Sequence, residues 1–152
     1  MATSTLVQFL ETEANGANAG DSNRTQSETF LSGAAIGQGD WVTLDTSKTG
    51  SDRCLYVIEA AGVVTVGNPG VIGVALEAAT AADQKIKVCV GGFCKVAKVA
   101  SATVAGSALI GPIGTAGEAA IEAPGTTTGA VCGIGLEADT ANIASVMVVK
   151  RF

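Results

Sequence analysis

From Phe30 onward, apolar and polar positions alternate over short runs, and each run ends in Gly, Pro, Asn or Asp. That is the pattern of half-buried strands separated by turns. The turn Ile36-Gly-Gln-Gly-Asp40 leads into Trp41-Val-Thr-Leu-Asp45, where Trp41 and Thr43 alternate with Val42 and Leu44. Further strands are expected over 54–60, 62–66, 71–76, 85–90, 93–99, 108–110, 119–122, 131–136 and 144–150. Residues 5–14 are the one helical candidate. Strand signals at this spacing predict an all-β chain, a small β-barrel or β-sandwich.

The first 29 residues read differently. Between Glu11 and Glu28 no aliphatic residue is larger than alanine, and Asn15-Gly-Ala-Asn-Ala-Gly-Asp-Ser-Asn23 is nearly low-complexity. Such a stretch buries too little apolar surface to offset its ordering entropy. Ahead of it, Leu6, Val7, Phe9 and Leu10 form a small apolar anchor. Burying those four side chains against a partner contributes a gross ~6–10 kcal/mol before the spacer is ordered. Residues 1–29 are therefore expected to be a flexible N-terminal arm whose tip docks on a partner, and a frayed terminus is the plainer alternative. Residues 30–152 are expected to form a single β domain.

That domain carries an internal repeat. Val71-Ile-Gly-Val-Ala-Leu-Glu-Ala-Ala-Thr80 aligns without gaps on Val131-Cys-Gly-Ile-Gly-Leu-Glu-Ala-Asp-Thr140, with six of ten positions identical. Each copy is followed by another β-rich run, so the repeated units extend over 71–90 and 131–150. Two copies are too few for a solenoid. Two equivalent strand–turn–strand units of one barrel or sandwich fit better. Gly73 and Gly133, inside the strands, mark a bulge or a close backbone approach.

Gly91-Gly92 reads as a two-residue hairpin turn. In that register Cys89 lies opposite Cys94, near enough for a cross-strand disulfide, although reduced thiols suit a cytosolic product equally well. Lys85, Lys87 and Lys98 fall on the cysteine face, and Ile86, Val88, Val90, Phe93 and Ala97 on the other, with Lys95 the lone basic residue there. Cys54 and Cys132 read as small core residues within strands. The cysteine spacings do not suit zinc.

Composition narrows the function classes. The apolar share is 47%, but it comes from 26 alanines and 17 valines beside 20 glycines; aromatics are 4% and charged residues 15%. The chain has no histidine, which removes imidazole acid/base chemistry, His-assisted nucleophiles and histidine metal sites. A net charge of −5 argues against binding a phosphate backbone, so no nucleic-acid partner is expected. Residues 99–117 carry no charge but contain four glycines and Pro112, which suit loops and short strands better than a membrane span. The N-terminus lacks the basic region of a secretory signal. Glu77 and Glu137 hold the same place in the two repeats, where duplication explains them without an acid/base role. No Gly-Lys-Ser/Thr phosphate cradle is present. Neither enzymatic activity nor a cofactor is expected.

Several of these residues together resemble a family. A polar arm precedes Gly39-Asp-Trp-Val-Thr-Leu-Asp-Thr-Ser47, in which a Gly-Asp turn opens a strand ending in Leu-Asp-Thr-Ser. Val71-Ile-Gly-Val-Ala-Leu76 follows, then 79–84, a charged strand, and Gly91-Gly92 with Phe93. In order and spacing, across about residues 30–100, the chain is similar to the capsid decoration (cement) proteins of tailed bacteriophages. The resemblance implies a tulip-like β domain and a homotrimer bound to the major capsid protein on the capsid exterior of the virion. Such a protein is made in the host cytoplasm, and its arm orders against the shell. The duplicated motif and the four cysteines depart from that pattern. The alternative is another phage surface module, such as a head-fibre base or a host-carbohydrate-binding domain, though one Trp and one Tyr offer little platform for a sugar.

Overall fold

The computed structural model describes residues 25–60, 70–100, 106–110, 115–121 and 131–149. The described residues are nearly all β, with a closed five-stranded barrel. Its strands are β1 (Gln26–Ser32), β2 (Trp41–Leu44), β3 (Tyr56–Glu59), β4 (Val71–Ala75) and the first half of β5 (Lys85–Lys98). A short 3-10 turn, Gly50–Cys54, precedes β3. The sheet runs β1-β3-β2-β4-β5, and β5 closes it by pairing antiparallel with β1, from Gln26 opposite Gly91 to Leu31 opposite Lys85.

A second sheet continues from the other half of β5. It runs β5, β9 (Ile143–Val148), β8 (Val131–Gly135), β6 (Ala108–Ile110) and β7 (Ala120–Ile121). Its far edge returns to its first strand through a parallel bridge between Val99 and Ala119. The two sheets repeat one wiring. The parallel contact of β1 with β3 recurs as Val99 with Ala119. The antiparallel pairs β2–β3, β2–β4 and β4–β5 recur as β6–β7, β6–β8 and β8–β9. The repeated sequence thus reports a duplicated sheet, with the copies in successive sheets and not in one shared barrel.

The predicted hairpin is absent. Residues 85–98 form one continuous strand, with Gly92 at φ +85°. Gly-Gly reads locally as a turn, but here both halves find antiparallel partners far away, β1 on one side and β9 on the other. The β domain also starts earlier than expected, and the arm is correspondingly shorter. Gln26 to Thr29, assigned to the arm by their polarity, belong to β1. Their side chains are exposed, and the ladder to β5 holds the backbone. The helical candidate at 5–14 and the strand expected at 62–66 lie outside the described residues.

Two cores result. Ile36, Val42, Val57, Ile72, Ala75, Ile86, Val88 and Val90 fill the first barrel. The second core joins the inner side of the second sheet (Cys132, Ala144, Val146 and Val148) to Trp41, Val74 and Cys89 on the outer side of the first barrel. Strands β2 and β4 are thereby buried on both faces, which explains why residues 71–75 are apolar without alternation. Gly73 and Gly133 sit where β4 and β8 bulge against β2 and β6. A Cβ on Gly73 would strike the Cys89 carbonyl, and one on Gly133 would lie 2.9 Å from the Trp41 ring.

These contacts rank the glycines. Gly73→Ala is expected to cost about 3 kcal/mol or more, because backbone must move. Gly50→Ala, with φ +60° and nothing near its Cβ, is expected to cost only about 1 kcal/mol of backbone strain. Urea unfolding of the two variants measures the difference; equal losses would mean that β4 and β5 can separate freely.

Candidate functional site

Three features meet where the two sheets join. The first is a buried polar seam. Asp40, 3% exposed, ends the turn before β2. Its Oδ2 accepts the Gly37 N–H, and its Oδ1 accepts Lys98 Nζ, each at 2.5 Å. The backbone around it is equally engaged. Trp41 N–H donates to the Gly117 carbonyl, Ala75 N–H to that of Asp40, and Trp41 Nε1 to that of Lys98. Glu59, at the end of β3, lies close by: a Cβ on Gly117 would sit 2.8 Å from its Oε1 and 2.9 Å from Asp40 Cγ. Burial pushes the Glu59 carboxyl above its ordinary value, the Asp40 charge adds to the rise, and Lys98 opposes it. A raised carboxyl beside a second carboxylate resembles an acid/base pair. Asp40, however, spends both oxygens on Gly37 and Lys98 and is closed to solvent, so the seam ties loops together.

The second feature is the thiol pair. Cys89, Cys94, Cys54 and Cys132 are not joined by disulfide bonds. The kink at Gly92 turns both thiols into the second core. Five residues apart on an unkinked strand they would face opposite sides. The Cys89 thiol also lies 3.6 Å from the Gly91 carbonyl. The hydrogen bond between the two sulfurs holds Cys89 below the usual thiol range and, with burial, pushes Cys94 above it. Cys89 and Cys94 therefore lie close together within one strand, and not opposite each other across a hairpin. The division of faces also changes: Ala97 shares the second core with the cysteines, because β5 shifts register against β9 between Cys94 and Ala97. Cys132 is buried as expected. Cys54 is exposed in the 3-10 turn, not in a strand core.

The third feature is the outer face of the second sheet. Phe93, Met147, Ile134 and Ala108 are register neighbours across four strands. Ile134 and Leu136 are 40% exposed and Ile143 is 36% exposed. Thr25, the first described residue, donates its hydroxyl to the Phe93 carbonyl at 2.7 Å, at one end of this row. Sequence alone hid the row, since 131–136 is apolar throughout and shows no polar outer face. The apolar anchor Leu6, Val7, Phe9 and Leu10 lies outside the described residues.

The other motif residues are structural or solvated. Asp45 accepts from the Ser47 hydroxyl (2.6 Å) and N–H (3.0 Å), and that hydroxyl bond lowers its pKa, so Leu-Asp-Thr-Ser is a turn clasp. Glu77 is exposed and accepts the Lys87 N–H at 3.2 Å. Glu137 is exposed beyond the other repeat, and the two carboxylates follow strands of different sheets. Among the described residues no three thiol or carboxylate groups are placed to hold a metal ion. No protein-family model and no curated protein matches the chain.

Two outcomes follow from this geometry. Glu59 binds its proton more tightly when folded, so its contribution to stability falls as pH rises from 4.5 towards the raised value. Glu59→Gln should therefore melt above the parent at pH 7 and together with it at about pH 3. A lower melting point at neutral pH would mean that attraction to Lys98 dominates. Thiol accessibility gives the second outcome. A maleimide should add once to the folded chain, at Cys54, and four times after denaturation, read by intact mass. Rapid addition at Cys89 or Cys94 would show the second core to be open.

Proposed function

We propose that the chain is a structural virion protein, a capsid decoration (cement) protein that binds the outer surface of a phage head. The order of its arm, its Gly-Asp-Trp strand and its apolar and charged strands supports this reading. The observation that carries it is the root of the arm. Thr25 is tied to Phe93 at the junction of two packed sheets, so an apolar-tipped segment leaves a rigid β body from a fixed point. The partner is the major capsid protein. Each subunit makes modest contacts, and a symmetric oligomer, a homotrimer, multiplies them. On this reading the protein has no substrate and no cofactor, and the buried seam and cores serve rigidity.

The test removes the arm at the right place. A deletion through residue 28 would strip β1 of half its ladder with β5, so the cut belongs after residue 24. The protein lacking residues 1–24 should still unfold cooperatively but bind decoration-free heads more weakly, measured by co-sedimentation. Unchanged head binding would sink the arm as anchor.

A further inference from the structure

Among the described residues the duplication leaves one face without its cover. In the first copy the row Trp41–Val74–Cys89 is register-paired across β2, β4 and β5, and all three side chains are buried beneath the second sheet. The equivalent row in the second copy is Ala108–Ile134–Met147, continued by Phe93 on β5. Val74 is fully buried, whereas Ile134, its counterpart, is 40% exposed. Leu136 and Ile143 flank it, also exposed. Terminal copies in a tandem array need a cap for this reason.

We infer that the chain's own residues Leu6, Val7, Phe9 and Leu10 cap this row in the free protein. Three observations select that occupant. The chain enters the described structure at Thr25, hydrogen-bonded to Phe93 at the end of the row. Fourteen residues separate Leu10 from Thr25. A polar, glycine-containing tether of that length has an r.m.s. span of roughly 20 Å, and the four-strand row is about 15 Å wide. The match keeps the anchor at high effective concentration over its own face. A second copy is the weaker candidate, because the face that covers the first row is the inner side of the second sheet, already occupied in every chain.

The docking belongs to the free chain and stands apart from the head-binding reading. It is tested on the full-length protein with photo-reactive benzoylphenylalanine in place of Phe9. After irradiation, peptide mapping should place adducts on 131–149 of the same chain, with a yield unchanged on dilution. Ile134→Lys, at an exposed position, should abolish them, and replacing Leu6, Val7, Phe9 and Leu10 with serine should raise the binding of an apolar dye severalfold. Adducts between two chains, adducts confined to the first barrel, or no adduct would each overturn the inference.

Discussion

The architecture depends on β5 belonging to two sheets. Its first half presents Ile86, Val88 and Val90 to the first barrel, while Cys89 points away. Without a change of phase, Cys94 would follow the even-numbered residues towards the first barrel. Gly92 at φ +85° supplies the change, in a conformation that glycine adopts at little cost. A second shift, between Cys94 and Ala97, brings Ala97 and Val99 into line with Cys94. Both cores are thus filled from one strand, and the sheets cannot move apart without breaking its ladders.

The seam holds the same junction from the side. Asp40 precedes β2 and Lys98 ends β5, so their ion pair links the start of one barrel strand to the far end of the shared strand. A pair with a buried carboxylate and a partly exposed ammonium adds little net stability, because desolvation of Asp40 offsets the attraction. It does penalise any arrangement that leaves Asp40 buried without both Gly37 and Lys98. Trp41 acts with it. Its indole N–H is satisfied by the Lys98 carbonyl, and its ring reaches the backbone at Gly133 in the second sheet. The Gly-Asp-Trp run is therefore the joint of the molecule: Asp40 fixes the loops, Trp41 fills the gap, and Val42 faces the other core.

Much of this was legible in the sequence, for local reasons. Strand positions followed from turn residues and alternation, and the two bulge glycines followed from their place inside apolar runs. What failed was decided by distant partners. Gln26 to Thr29 look like spacer because their side chains are polar, yet their backbone pairs with a strand some sixty residues on. Gly91-Gly92 resembles a turn in any short window, and only simultaneous pairing with β1 and β9 makes it strand. The thiols were expected close together and are close, although the reason lies in a kink and not in a hairpin.

The candidate surface shows a deeper limit. Residues 71–76 and 131–136 carry nearly the same pattern, apolar on both faces, the composition of strands covered on both sides. The first is interior, because a second sheet lies over it. The second keeps the same apolar character where no further sheet follows, so Ile134 and Leu136 meet solvent within the described structure. Duplication copies the need for a cover without copying the cover. An exposed apolar strand is otherwise a liability that proteins blunt with charge or cap with another segment. Here Ile134, Leu136 and Ile143 keep that exposure, and Lys98, opposite Ile143 in register, spends its charge on Asp40.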